Sequence, residues 1–449
     1  MSNKAQQIEA KYKKYPAYKP SGIDWLGNIP KEWHLKRLRF LIKSNPSKSA
    51  VQSMPSDFEI SFIPMESVSE DGVVNLDQIK ALEEVRDGYT YFVDGDIVIA
   101  KITPCFENGK GALMAGLNNG VGFGTTEFHV LRPRGIEAKY LHLMTNTWPF
   151  RRLGEANMKG AAGQKRVPEN FIKDFELGIP SLEEQGQIST YLDRKTALID
   201  DVIDRKQKLI KLLKEKRQAL ITQAVTKGLD PNAKLKHSGI DYLGDIPKDW
   251  QLKRLKYIFR VVNGATPKSS VEEYWSGDIP WATPDDLGKL NGSYIEETAR
   301  QITTEGYNSC ATTLVPPESI ILSTRAPIGH MGVARSKLCM NQGCRGLVFG
   351  KLEVDKRYYY YLLDILKTEL RSLGQGATFM ELGKTKLESV SLTIPAQPEQ
   401  TLIAEFLDRE TTKIDSIVTK VKSQVWKLRE YKQALITSAV TGKIDVRNS

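Results

Sequence analysis

The chain has 449 residues, 40% hydrophobic and 26% charged, which is ordinary for a globular protein and long enough for two or three domains with their own cores. Its net charge of +10 suits a polyanionic partner, because each phosphate contact releases bound counterions. Four scattered cysteines and five histidines argue against a disulfide framework and leave little acid–base machinery, and no run of about 18 apolar residues could span a membrane. Residues 1–20 form a polar N-terminal extension without the apolar stretch of a signal peptide, so a cytoplasmic location is expected.

From residue 21 onward the chain is written twice. SGIDWLGNIPKEWHLKRL at 21–38 returns as SGIDYLGDIPKDWQLKRL at 238–255, 217 positions later. The segment from Ile179, IPSLEEQGQISTYLDRKTALID and onward, returns from Ile394 as IPAQPEQTLIAEFLDRETTKID, 215 positions later. One unit has been duplicated, and it is far longer than a solenoid repeat. Between the matched blocks, residues 39–178 and 256–393 share only an order of elements. Alternating apolar and β-branched residues predict strands at 96–104 and 126–133, and again at 318–327 and 345–350. A helix is expected at 137–153 and at 355–373, each followed by a small-residue loop, KGAAGQKR at 159–166 and QGATFMEL at 375–382. Trp33, Trp250 and Trp281 fit core or scaffold packing better than base stacking.

The second matched block reads as a long helix in both copies. Leu407, Ile414, Val421, Leu428 and Leu435 recur every seven residues, with Ile417 and Tyr431 at intermediate positions. The first copy holds Leu192, Ile199, Leu213 and Leu220 in the same register, interrupted by Lys206. Such a repeat makes a seam for another helix. Packing the two seams on each other, antiparallel, satisfies both. Ser181 and Pro395 begin these helices, and Gly228 and Gly442 end them. About 45 residues at 1.5 Å make a rod of roughly 65 Å.

Catalytic motifs are incomplete throughout. Gly383–Thr385 reads GKT, but the glycine that a phosphate loop needs five residues earlier is Thr378. NPSK at 45–48 lacks the aromatic that would stack on a flipped base. PDDLGK at 284–289 and EAK at 137–139 lack the paired carboxylate–lysine spacing of a nuclease, and no Gly-x-Ser-x-Gly elbow occurs. Cys339 and Cys344 have no second pair of ligands to complete a metal site. A long chain without a catalytic cluster fits a binder.

SGIDWLGNIPKEW with its copy, the IP-x(n)-EQ start of each long helix, STRAPIG at 323–329 followed by NQG at 341–343, and GAAGQKRV at 160–167 resemble the specificity subunits of type I restriction–modification enzymes. The resemblance covers residues 20–445, and the order and duplication of its motifs are more specific than any one motif. It implies an α/β (α+β) fold with a pseudo-two-fold internal repeat. Two globular target-recognition domains of mixed sheet and helices, 21–178 and 237–393, would be joined by helical spacers at 179–236 and 394–449 forming an antiparallel coiled coil. It further implies a circular layout in which each domain reads one half of an asymmetric bipartite DNA site, half-sites about 34 Å apart lying within reach of the rod. Two adenine-N6 methyltransferase subunits using S-adenosylmethionine would be partners, with a restriction subunit that is an ATP-driven, Mg-dependent translocase and nuclease. No cofactor or metal is then expected in this chain.

Base edges are read by Arg, Lys, Asn and Gln, and phosphates take Lys, Arg, Ser and Thr. On that basis the DNA-binding candidates of the first domain are Lys101, Thr103, Asn108, Lys110, Gln164, Lys165 and Arg166. In the second they are Thr266, Lys268, Thr324, Arg325, Asn341, Gln342 and Gln375. A stand-alone DNA-binding regulator and a coiled-coil scaffold with protein partners only are the alternative readings.

Overall fold

The computed structural model describes residues 8–161, 163–290, 292–375 and 380–447. The chain divides into two compact units, Met1–Gln207 with Val421–Ser449, and Lys208–Lys420. Both unit boundaries fall inside the long helices, α1 (Leu182–Lys227, 46 residues) and α2 (Gln397–Val440, 44 residues).

The first unit carries a four-stranded antiparallel sheet of β1 (Ile42–Ser44), β2 (Ile97–Ala100), β3 (Gly111–Leu113) and β4 (Phe128–Pro133), in the order β1-β4-β2-β3. The second unit repeats this arrangement. Its sheet holds β5 (Phe259–Asn263), β6 (Tyr294–Ile295), β7 (Ile320–Ser323), β8 (Met331–Ala334) and β9 (Cys344–Phe349), in the order β5-β9-β7-β8-β6. Phe128 faces Ala100 across β4 and β2, as Cys344 faces Ser323 across β9 and β7. The expected strands are therefore present in both units, three of them with shorter ends and the last shifted by one residue to Cys344–Phe349.

The two expected mid-domain helices are each broken in two. In the first unit Ala138–Thr145 ends before Trp148–Ala156, because Pro149 cannot donate within a helix and its ring crowds the carbonyl four residues back. In the second unit Lys356–Ile365 and Lys367–Ser372 meet at Leu366.

The matched sequence blocks hold each other. The Trp33 indole donates to Glu184 at 3.1 Å, and Trp250 donates to Glu399 at 3.0 Å. Gln185, buried at the start of α1, donates to the Pro180 carbonyl and accepts from the Glu137 N–H. Gln400 does the same at the start of α2 with Pro395 and Asp355. These bonds satisfy polar groups that burial would otherwise leave unpaired. Trp33, Trp250 and Trp281, expected in core or scaffold packing, are buried. Gly228 and Gly442 follow the helix ends at positive φ, 76° and 72°, a conformation that suits glycine at a helix terminus.

Each unit contains a stretch of both long helices running antiparallel. In the first unit Lys432 binds Asp200 and Lys206 donates to Gln424; in the second Arg217 pairs with Asp415. Leu192, Leu407, Ile414, Val421 and Leu435 are buried, and Ile199, Leu213, Leu220 and Leu428 are half-buried. Ile417 departs from the expected seam: it is exposed, and its neighbour Val418 is buried instead. The seam runs through Thr411, Val418 and Val425, one position further on, the four-residue step from d to the next a in a heptad.

Candidate functional site

The loop that leaves β2 is clamped by main-chain bonds. Lys101 donates its N–H to the Glu127 carbonyl at 2.9 Å, and its own carbonyl accepts from Val167 at 2.8 Å. Thr103 donates to the Lys165 carbonyl at 2.9 Å, and the bond between Thr103 and Pro104 is cis. Lys159 and Arg166 pair across the small-residue loop, and Arg166 also pairs with Ile102. Ala162, within that loop, lies outside the described residues. Lys101, Thr103, Gln164, Lys165 and Arg166 are thus brought together. Asn108 is exposed on the adjoining turn. Lys110 is directed elsewhere, its Nζ donating to the Met65 carbonyl at 3.2 Å.

The loop that leaves β7 is held by the corresponding bonds. Thr324 donates to the Gly343 carbonyl at 2.8 Å, and its carbonyl accepts from Leu382 at 2.8 Å. Ala326–Pro327 is again cis, and Gln375 pairs with Glu381, which pairs in turn with Arg325. Part of this small-residue loop, 376–379, including position 378 of the incomplete phosphate-loop motif, lies outside the described residues. Asn341 accepts from the Gly343 N–H at 2.9 Å and so shapes the turn it sits in. Thr266 donates to Gln342, bringing a third segment to the cluster. A Cβ at Gly264 would lie 2.0 Å from the Asn341 carbonyl oxygen, so this approach needs glycine. Lys268, Arg325, Gln342 and Gln375 are exposed. Thr324 is a correction: it is fully buried, its hydroxyl directed at the Gly343 carbonyl, and it presents nothing at the surface.

The backbone is shared, but the side chains on it are exchanged. In the first unit Arg166, on the small-residue loop, grips Glu127 with two contacts of 2.7 and 3.0 Å. This hydrogen bonding holds the Glu127 carboxyl below the usual range, so it stays ionised. In the second unit the small-residue loop carries the acid: Glu381 pairs with Arg325 at 3.1 Å and approaches Arg345 at 3.7 Å. The charge on the small-residue loop is thus reversed, and its partner comes from a different position: Arg325 corresponds to Ile102, whereas Glu127 corresponds to Gly343. His129 closes the first cluster from beneath. Its Nε2 lies 2.9 Å from the Val167 carbonyl, and burial lowers its pKa.

Glu127, Glu381, Arg345 and His129 adjoin these candidates without being among them: the carboxylates orient cations, His129 is buried, and Arg345 lies within a strand whose main chain dominates its sequence pattern. The signal was present: Arg166 and Glu381 stand 215 positions apart, the offset of the adjacent repeat, with opposite charge. Such a surface can offer guanidinium, ammonium and amide groups to base edges and phosphates. Among the described residues no group of His, Cys, Asp or Glu could hold a metal ion, and no helix is long and apolar enough to cross a membrane.

Comparison with known proteins gives a consistent picture. The family model for the type I restriction modification DNA specificity domain matches residues 247–425. A Methanocaldococcus jannaschii protein provisionally named the MjaX type I restriction enzyme specificity subunit is 26% identical over 94% of this chain and 96% of its own length. The EcoAI specificity subunit of Escherichia coli is 42% identical over 39% of this chain and 30% of its own length. Among solved structures, a chain of a type I R-M system complex matches 92% of this chain and 98% of its own, with TM-score 0.74 and 18% identity. The HsdS subunit of Thermoanaerobacter tengcongensis matches 93% and 98%, with TM-score 0.53 and 18% identity.

Proposed function

We propose that the chain is a specificity subunit of the type I restriction–modification kind that it resembles, and that each unit reads one half of an asymmetric, bipartite DNA site. The observation that carries this reading is the clamped loop after β2 and β7. The two main-chain bonds made by Lys101, with Glu127 and Val167, recur at Thr324 with Gly343 and Leu382, whereas Lys101, Ile102, Glu127 and Arg166 are replaced by Thr324, Arg325, Gly343 and Glu381. A frame kept constant while its outward groups change is what two readers of different bases require.

The chemistry then belongs to partners. Two copies of an adenine-N6 methyltransferase subunit bind S-adenosylmethionine, and a restriction subunit binds ATP and Mg. This chain is a non-catalytic, cytoplasmic DNA-binding component that docks them. The test is to map methylated adenines in the host with and without the gene, and to assay the purified chain alone. Loss of one asymmetric bipartite methylation pattern on deletion is expected. Methyl transfer by the isolated chain would overturn the proposal.

A further inference from the structure

One stretch of the two units is matched on its surface as well as in its core. Arg39, Phe40 and Lys43 recur 217 positions later as Lys256, Tyr257 and Arg260, and all six are exposed. Phe40 is 72% exposed and Tyr257 59%. Each aromatic ends a three-residue 3-10 turn, Leu38–Phe40 or Leu255–Tyr257, whose leucine is fully buried. The leucine secures the turn, so the fold itself gives no reason for an aromatic at its outer end. In the first unit Arg39 pairs with Asp174; in the second Lys256 lies 5.2 Å from the Tyr257 ring.

The position of this patch is the second observation. Ile42 faces Pro133 at the far end of β4, whereas the clamped loop sits at the Phe128 end, five strand steps or about 17 Å away. In the second unit Phe259 faces Phe349, while the loop that leaves β7 sits at the Cys344 end of β9. In both units the matched patch and the diverged loops occupy opposite ends of one sheet.

A surface that reads different bases diverges, and a surface kept alike meets the same object twice. We infer that Phe40 and Tyr257, each flanked by cations, are paired docking points for two copies of one protein whose surface offers an apolar slot rimmed by acidic residues. Resting on the preceding reading, that protein is the methyltransferase subunit. Phosphates are also alike at both half-sites, but they would not reward a largely exposed phenyl ring. An aromatic that becomes buried beside a basic residue is, by contrast, a strong interface anchor.

The test co-expresses the full chain with the methyltransferase subunit of its own system and counts bound copies by native mass spectrometry. Wild type should carry two copies. Phe40→Ser and Tyr257→Ser should each weaken one binding event by about 30-fold or more, leaving one copy, and the double variant should carry none. Phe40→Tyr, the residue the other unit uses, should keep both. Thermal midpoints should not change, since neither ring is in a core. A double variant that retains two copies at wild-type affinity would overturn the docking points alone. So would a double variant that keeps both copies and loses affinity for DNA of arbitrary sequence, because the patch would then belong to DNA. A wild-type chain that binds no methyltransferase would sink the underlying reading instead.

Discussion

A guanidinium that already holds a carboxylate meets DNA with its remaining N–H groups or by giving up its partner. Arg325, paired to Glu381 and exposed, is in that position; in the first unit its place is taken by Ile102, and the cation of the loop is Lys101, one residue earlier. Arg325→Ala should cost roughly 1–3 kcal/mol if it contacts a base, with relaxed discrimination at that one base. If Lys101 instead meets a phosphate, Lys101→Ala should weaken all sequences alike and lower the salt slope by about one. Titrations of the assembled methyltransferase at several salt concentrations decide this, and unchanged affinity and slope in both variants would remove these residues from the interface. The half-buried His142 gives a second prediction at this scale. Burial, and then the neighbouring Arg151, lower the His142 pKa to about 4 from an ordinary 6.5. The unfolded chain takes up this proton first as pH falls. Stability from this site is therefore complete above about 6.5 and declines toward pH 4, by up to about 3 kcal/mol. The thermal midpoint of wild type should fall more between pH 7 and pH 5 than that of His142→Gln; parallel curves would refute the assignment. The clustering of Lys101 with Gln164, Lys165 and Arg166 was legible in the sequence because both loops flank recognisable strands. The burial of Thr324 was not, since it depends on the Gly343 carbonyl, which meets it across the sheet.

At the scale of elements, the long helices were the most legible part, because a seven-residue period survives even where one residue breaks it. Lys206 breaks it without leaving a hole: half-buried, it donates its Nζ to the exposed Gln424 at 2.7 Å, a polar rung at the solvent edge of the seam. A polar rung fixes register at a cost in stability. Replacing both partners, Lys206→Leu with Gln424→Leu, should stabilise the helix pair by no more than about 1 kcal/mol, because only the half-buried position 206 gains apolar contact, and should raise the thermal midpoint slightly. A lowered midpoint would mean that this rung contributes more than packing can replace. The broken helices at Thr147 and Leu366 were less legible, because apolar periodicity runs on across a change of helix axis. Pro149 was the one local sign of the first break.

For the whole molecule, the fact that matters is where each long helix ends. The end of α2 supplies Ile436, Ala439 and Val440 to the core of the first unit, where the Tyr140 hydroxyl donates to the Val440 carbonyl at 2.8 Å. The end of α1 supplies Ile221, Ala224 and Val225 to the core of the second, where Tyr358 donates to Val225 at 3.1 Å. The two ends are interchangeable in sequence, ITQAVT against ITSAVT. A chain cut after Asp230 lacks the end of α2 but carries its equivalent, so two copies should complete each other as a symmetric dimer. Sedimentation should show that dimer, and with methyltransferase its methylated sites should become an inverted repeat of one half-site. A monomer, or retention of the original asymmetric site, would refute the division of labour between units. The clamped loops have a consequence of another kind. Because peptide groups hold the loop after β2 and β7, its side chains are not needed to shape it, and folding is separated from reading. Lys101 can become threonine, Ile102 arginine, Glu127 glycine and Arg166 glutamate, and the chain path stays where it was. A molecule built this way is mutationally robust at the positions where it most needs to vary. New sequence preferences can be explored one substitution at a time, without each trial having to re-establish the fold.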